Sequence, residues 1–264
     1  MYYNNNNGTI YYEVHGSEAS PTIVFLHGVA MDYRTFKEQI QVLKDSYRVI
    51  VLDLPYHGKS SGIDENLRFS TTTAEITIGL LDSLNIEKAI IAGVSMGSFV
   101  VQQIATKYPH RVIATIHISG GSLYPKYPSW IKIFNPFYSF FINIYPKKYL
   151  YKAFAKHKAI HPSTIAYLEE ISYKLEKKTL IHLIKEMIND MVQGIHEPLK
   201  QPMLLVYGDH ELSLIKKLST KWHSRSSNSY LVMIKNAHHI THQDNPKDFN
   251  DTLISYLEKL KEIV

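Results

Sequence analysis

Apolar residues along the chain form short continuous runs that alternate with stretches of helical spacing. The runs predict strands at 22–26, 47–52, 88–94, 112–119, 203–207 and 230–234. The helical spacing predicts helices at 33–43, 70–84, 96–108, 214–222 and 246–260. An Asn-rich turn at residues 4–8, between two Tyr-rich runs, predicts a β-hairpin. Strands that alternate with helices indicate an α/β fold with a doubly wound, mostly parallel sheet.

The alternation stops between residues 122 and 196. This stretch shows no clear strand, and prolines break its helical runs. It holds 14 aromatic residues in 75, against 17 in the other 189. We therefore expect a core formed by 1–121 and 197–264. Residues 122–196 are expected to form a helical lid over the carboxyl edge of the sheet, where ligands bind in open α/β sheets.

The positive charge of the chain is concentrated in the same stretch. Residues 122–196 contain 11 Lys and 5 acidic residues, a net charge of +6, whereas the rest has 18 Lys and Arg and 19 acidic residues. No basic-aromatic nucleic-acid motif accompanies the lysines. We therefore expect a solvated Lys-rich surface on the lid and no nucleic-acid partner.

Other features of the composition exclude several classes of protein. The chain has no Cys, which excludes disulfides, thiolate catalysis and Cys-based zinc sites. The first residues lack the basic and apolar regions of a secretory signal, and no uninterrupted apolar run is long enough to span a bilayer. We expect a cytoplasmic protein without an integral membrane segment. The sequence leaves its oligomeric state open.

One pentapeptide carries the candidate nucleophile. Gly93-Val94-Ser95-Met96-Gly97 lies between a predicted strand and a predicted helix. A serine at such a sharp turn has strained backbone angles, and glycines two residues before and after it supply the space that the turn needs. The hydroxyl of Ser95 would then project above the sheet edge, near the positive end of the following helix.

A serine hydroxyl is a weak nucleophile and needs a base, which in turn needs an orienting acid. In this architecture the acid and then the histidine follow the serine along the chain. Asp209 and Glu211 come just after one late predicted strand, and His238 and His239 come after the next. The residues alone leave both choices open.

The motifs together resemble those of the lid-bearing α/β-hydrolases, a family that includes carboxylesterases, lactonases and related acyl hydrolases. The resemblance rests on Phe25-Leu26-His27-Gly28, on residues 53–60, on the serine pentapeptide, on Gly208-Asp209-His210-Glu211 and on His238-His239. It covers nearly the whole chain except the predicted lid. Tyr56 departs from it, because glycine usually stands there, and this suggests a Tyr side chain near the pocket or a different turn.

The resemblance implies a role for particular residues. The acid would be Glu211, where most members have Asp, with Asp209 as the alternative. The base would be His239, with His238 as the second choice. His27, Asp53, His57 and Ser60 would be structural. No metal or organic cofactor is implied.

An oxyanion hole needs two backbone N–H groups aimed at the developing charge. We expect them from Met96, next to the nucleophile, and from Val29, in the loop after His27. Gly28 would let this loop turn tightly over the site.

Aromatic residues of the predicted lid are the candidates for substrate binding, namely Trp130, Phe134 and Tyr138. Three interpretations remain open for this region. It could form an acyl-binding wall, the core of the lid itself, or an interfacial helix that rests on lipid with the help of Lys147, Lys148 and Lys152.

The sequence therefore predicts a serine hydrolase that cleaves a small-molecule ester or lactone. A thioesterase or carbon–carbon bond hydrolase, acting on a carrier- or CoA-linked substrate, is the alternative within the same fold. A ligand receptor with little turnover is the alternative of another class. Epoxide hydrolases and dehalogenases on this fold need a carboxylate nucleophile, which Ser95 does not provide.

Overall fold

The computed structural model describes residues 1–263 and contains one eight-stranded sheet. Its strands are β1 Tyr2–Asn5, β2 Gly8–His15, β3 Thr22–Leu26, β4 Arg48–Leu52, β5 Ala89–Val94, β6 Val112–Ile118, β7 Met203–Gly208 and β8 Ser229–Ile234. They lie in the order β1-β2-β4-β3-β5-β6-β7-β8. The hairpin strand β2 pairs antiparallel with β1 and β4, and all other neighbours are parallel. The chain thus has the predicted α/β fold, a mostly parallel doubly wound sheet.

Helices pack on both faces of this sheet. The helices of the described chain, including those outside the sheet layers, are α1 Lys37–Leu43, α2 Phe69–Ser83, α3 Met96–Lys107, α4 Phe134–Ile144, α5 Lys147–Lys158, α6 Pro162–Ser172, α7 Lys177–Gln193, α8 Ser213–Ser224, α9 Thr241–Asp244 and α10 Pro246–Ile263. Because β3, β4 and β5 are covered on both sides, every residue in them is buried. Among the helices of residues 1–263, none combines the length and apolar character needed to cross a bilayer.

The pattern of apolar residues predicted the positions of the strands and long helices well, and the residues at which they begin and end less well. The predicted helix at 33–43 begins as a separate 3₁₀ turn, Tyr33–Phe36, because the side chain of Asp32 accepts a hydrogen bond from the Arg34 amide and caps that turn. The short helix α9 was not predicted, since four residues carry no usable periodicity.

Residues 122–196, the inserted segment, leave the core after β6 and return before β7. The segment consists of a 3₁₀ helix, Ser129–Ile133, followed by α4 to α7. Its two ends meet: the Ile195 amide donates to the Leu123 carbonyl over 3.2 Å, and the Tyr127 amide donates to the Met191 carbonyl over 2.8 Å. The two covalent connections between the inserted segment and the core therefore lie side by side and form one narrow neck.

Helix α7 is fixed to the start of α2 by buried acids. The Arg68 guanidinium contacts Glu186 at 3.2 Å and Asp190 at 2.8 Å, and the Ser70 hydroxyl donates to Asp190 over 2.5 Å. The Phe69 amide also donates to Glu186. Since α2 has no side-chain cap of its own, these carboxylates satisfy and stabilise its positive N-terminus.

Candidate active site

Ser95 lies at the tight turn between β5 and α3. Its backbone angles are φ 52° and ψ −111°, a strained conformation for a residue with a side chain. The turn is held by the Ser95 amide, which donates to the Ile118 carbonyl of β6 over 2.9 Å. A Cβ on Gly97 would overlap the Leu26 carbonyl oxygen, and a Cβ on Gly93 would lie 2.5 Å from the Gly97 carbonyl carbon. The two glycines are thus required by the close approach of β3, β5 and α3.

Glu211 and His239 meet after the last two strands. Glu211 follows β7 and His239 follows β8, and the His239 Nδ1 donates to the Glu211 Oε2 over 2.6 Å. The other carboxylate oxygen of Glu211 accepts from the Leu212 amide over 2.8 Å. Both side chains are buried. Because Nδ1 carries the proton toward Glu211, Nε2 of His239 is left as the acceptor that a general base requires.

The alternative residues make other contacts. Asp209 is partly exposed, and its carboxylate accepts from the Ala237 amide over 3.1 Å. The His238 Nδ1 accepts from the amide of His239 over 2.7 Å. Among the described residues, neither side chain hydrogen-bonds to the Glu211 carboxylate or to the His239 ring. The geometry therefore groups Glu211 with His239 and leaves Asp209 and His238 in the surrounding loops.

The protonation of the pair follows from burial and charge. Burial would raise the pKa of Glu211, but its hydrogen bond with His239, the Leu212 amide and the nearby Lys158 lower that pKa to about 2. Burial, and then the charge of Lys158, lower the pKa of His239 below its usual value against the opposing effect of Glu211. At neutral pH the arrangement therefore holds an ionised carboxylate beside a neutral imidazole.

Ser95 and His239 line the same cavity, although no hydrogen bond links these two described side chains. Such contacts are often long in a free enzyme and shorten when substrate binds. Gly28 lies against Ser95, since a Cβ built on the glycine would be 3.3 Å from the Ser95 Cβ. The structure thus places Ser95, His239 and the Gly28 loop around one point.

The loop that follows Gly28 offers the expected oxyanion donor. Within the described residues, the Val29 amide has no protein acceptor, and Val29 lines the cavity beside Ser95. Met96 is the first residue of α3, so its amide has no partner one turn back in its own helix. The next residue, Ala30, donates its amide to His57 Nε2 over 3.0 Å, which fixes the loop.

The remaining histidine and acid near this loop hold backbone groups. His27 Nε2 accepts from the Leu54 amide over 2.9 Å, and Asp53 accepts from the Tyr33 and Lys59 amides, both over 2.8 Å. Tyr56 adopts φ 70°, a conformation that favours glycine, and its hydroxyl donates to the Ile63 carbonyl over 2.5 Å. Tyr56 does not line the cavity that holds Ser95, so its departure from the family pattern alters the turn without adding a pocket wall.

A large apolar cavity of about 770 Å³ opens above Ser95. The core contributes Val29, Met31, Leu214 and Leu218 beside Ser95 and His239. Most of the wall comes from aliphatic and aromatic side chains of the inserted segment: Tyr127, Ile131, Phe134, Tyr138, Ile142, Leu150, Ala153, Phe154, Leu180, Ile184, Met187, Ile188 and Met191. A wall of this kind binds a hydrocarbon group and excludes water from it.

Of the four residues predicted to bind substrate, two line the cavity and two do not. Phe134 and Tyr138 line the cavity, while Gly28 packs behind Ser95. Trp130 is not part of the described cavity wall: it lies in the 3₁₀ helix before α4, is 65% exposed, and reaches only the edge of Phe134, with ring centroids 6.2 Å apart. The irregular chain before α4 turns this side chain outward, which periodicity could not predict.

Lys158 is the charged residue that sequence reasoning missed. It lines the cavity at the end of α5. Its carbonyl accepts from the Ile240 amide over 3.2 Å, and Asp244 accepts from the amides of Ile160 and His161 just beyond it, over 3.2 and 3.0 Å. These bonds tie the end of α5 to the His239 loop. Burial lowers the pKa of the Lys158 amine, against the attraction of Glu211.

Replacing Lys158 by Met should move the acid limb of the activity profile to higher pH. The Lys158 charge disfavours protonation of His239, so its removal raises the pKa of His239 and more of the base is protonated in mild acid. The measurement is kcat/KM for a neutral p-nitrophenyl ester across the acidic range. Lys156→Met, at an exposed position of the same helix, is the matched control. Acid limbs that coincide in both variants and the unchanged protein would contradict this role.

Comparisons with known proteins agree with the observed fold. Residues 21–246 match the family model described as alpha/beta hydrolase fold. The chain is 23% identical over 260 residues to an uncharacterised hydrolase of Bacillus subtilis, YugF. The alignment covers 94% of this chain and 94% of that protein. Two other curated relatives match over only 36% of their own length.

Solved structures show the same fold. An esterase from Thermogutta terrifontis superposes with a TM-score of 0.81 at 19% identity, covering 96% of this chain and 94% of that one. An enol-lactonase from Burkholderia xenovorans LB400 superposes with a TM-score of 0.82 at 17% identity, covering 98% and 100%. At these identities the likeness establishes the fold and leaves the substrate to be argued from the site.

Proposed function

The chain belongs to the α/β-hydrolase fold family, and on that basis we propose that it is a serine hydrolase that cleaves carboxylic esters, either open-chain or lactone. One observation carries the proposal. The buried Glu211–His239 pair, joined at 2.6 Å, shares a cavity with a serine held at a strained strand-to-helix turn. This set provides a nucleophile, a base and an orienting acid.

In the proposed mechanism, the Ser95 hydroxyl attacks the ester carbonyl while His239 Nε2 takes its proton. The oxygen that becomes negative accepts hydrogen bonds from the Val29 and Met96 amides. Collapse of the tetrahedral intermediate breaks the bond to the alcohol oxygen, which His239 protonates. Water, deprotonated by His239, then attacks the acyl-enzyme and releases the acid, and Ser95 recovers its proton. Glu211 stays ionised throughout and stabilises the imidazolium.

The cavity supports an apolar acyl group as the preferred substrate. Its wall is mostly aliphatic and aromatic, and Lys158 is the one Lys, Arg, Asp or Glu among the described wall residues. The esterase and the enol-lactonase of the same fold act on bonds of the proposed class, as their names state. Neither resemblance chooses between an open-chain ester and a lactone.

The preference for acyl length can be measured with p-nitrophenyl esters of graded chain length. We expect kcat/KM to rise by up to roughly fourfold per added methylene, because burying each methylene contributes about 0.8 kcal/mol. The rise should end where the cavity is full. A kcat/KM that is highest for acetate and falls with each added methylene would contradict an acyl-binding role for the cavity.

Acyl lactones and the matching acyl thioesters belong in the same panel. Faster turnover of the thioesters would identify a thioesterase rather than a carboxylesterase. Reaction with a fluorophosphonate tests the mechanism itself, and the label should be found on the peptide that contains Ser95. Labelling of Ser95 without steady-state hydrolysis of any ester, lactone or thioester would instead support a ligand receptor.

A further inference from the structure

The outer surface of the inserted segment presents aromatic side chains to solvent. In helix α4 only Ile142 is buried, while Phe137 is 58% and Phe140 is 60% exposed. The 3₁₀ helix before it adds Trp130 and Ile133, the latter 73% exposed. We call these four exposed residues, Trp130, Ile133, Phe137 and Phe140, together with Phe141 and Ile144, the aromatic surface. Contiguous exposed apolar surface of this kind marks a binding site for an apolar partner.

The same helix links this surface to the cavity. Phe134, Tyr138 and Ile142, four residues apart, line the cavity above Ser95. Phe137, Phe141 and Ile144 form the neighbouring stripe of the helix, and all three are exposed. The ring centroids of Phe137 and Phe141 lie 4.6 Å apart. One wall of the cavity is therefore backed by the aromatic surface.

Lysines lie on both sides of the aromatic surface along the chain, and one of them, Lys147, is paired with the exposed Glu176 at 2.7 Å. Residues 122–168 contain seven lysines, at 126, 132, 147, 148, 152, 156 and 158, and no Asp or Glu. Lys132 lies between Trp130 and α4, while Lys148 and Lys152 follow α4 at the start of α5, and all three are exposed. This pattern is complementary to an anionic surface.

From this arrangement we propose that the aromatic surface binds the face of an anionic lipid bilayer. Aromatic side chains would enter the interface while lysines beside them contact the headgroups. A second copy of the chain is a poor occupant, because the same lysines would face each other across a symmetric contact. The proposal does not depend on the reaction at Ser95.

Vesicle sedimentation tests the proposal on the full chain. The probes are vesicles of phosphatidylcholine alone and of phosphatidylcholine mixed with phosphatidylglycerol. We expect strong binding to the mixed vesicles, weak binding to the neutral ones, and loss of binding as salt rises. The Ser95→Ala variant should bind equally well, so failure of the proposed hydrolysis and failure of membrane binding are distinguishable.

Two variants separate the apolar and the charged contributions. Phe137→Gln with Phe140→Gln should lower the partition coefficient by at least about tenfold on both kinds of vesicle. Lys148→Gln with Lys152→Gln should lower it about fivefold per lysine on the mixed vesicles only. The control is Lys88→Gln with Lys235→Gln, which removes the same charge from exposed positions outside the inserted segment and should bind normally.

Melting temperatures establish that each variant is folded. Three results would overturn the proposal. One is that the unchanged protein binds neither kind of vesicle. Another is that binding is unaffected by Phe137→Gln with Phe140→Gln. The third is light scattering that shows a dimer which those substitutions dissociate, without any vesicle binding, since the surface would then be a self-association interface.

Discussion

Replacing Ser95 by Ala is expected to lower kcat for the best p-nitrophenyl ester by about 10⁴- to 10⁶-fold. The substitution removes the only atom of the site that would form the acyl bond, while the oxyanion donors and the cavity remain and sustain a small residual rate. KM should change little, because the cavity wall is intact. Steady-state kinetics and fluorophosphonate labelling, both on the same preparation, measure the effect.

Ser98→Ala is the matched control for this experiment. Ser98 lies one turn further along α3, is buried, and its hydroxyl is hydrogen-bonded to His117 at 2.8 Å. It does not line the described cavity. We expect near-normal kcat in this variant. Full esterase activity in Ser95→Ala would refute the proposed nucleophile.

Glu211→Gln is expected to lower kcat by about 10³- to 10⁴-fold. The amide keeps the size of the carboxylate, but it neither stabilises the imidazolium nor selects the tautomer that leaves Nε2 free. Asp209→Asn should reduce kcat by no more than a few-fold, because Asp209 holds the Ala237 amide rather than the His239 ring. The comparison is made by kcat and by the rate of phosphonate labelling at Ser95.

This pair of variants decides which acid orients the base. If Asp209→Asn abolished activity and Glu211→Gln did not, the hydrogen bond between Glu211 and His239 would have no catalytic role. Thermal melts are needed beside the kinetics, since Glu211 is buried and its replacement affects stability as well.

The sequence predicted the elements on which the site is built because they follow short-range rules. Strands such as β3 and β5 are continuous apolar runs. The turn around Ser95 requires glycines that lie within two residues of it, so the sequence shows them directly. The residues alone left Glu211 and Asp209 open, and only the resemblance to the family favoured Glu211. Both residues follow the same strand, and only the three-dimensional path of the loop brings one of them to His239.

Other features of the site depend on tertiary contacts, which the pattern of apolar and polar residues along the sequence does not predict. Lys158 ends a lysine-rich helix and reads as a solvated residue, but hydrogen bonds to the His239 loop draw it into the cavity. Trp130 shows the opposite case, since an aromatic residue in a predicted wall turns outward. The direction of a side chain in an irregular segment is set by neighbours that are distant in sequence.

The narrow neck of the inserted segment has a consequence for how such a protein can diversify. Because Leu123 and Ile195 are hydrogen-bonded neighbours, the core strands β6 and β7 meet the segment at nearly one point. Replacing the segment beyond that point imposes little closure entropy on the sheet, but it removes the carboxylates at the start of α2 and the hydrogen bonds to the His239 loop. A different segment could therefore bring a new cavity wall to Ser95, provided that it supplies its own contacts to α2 and to the His239 loop.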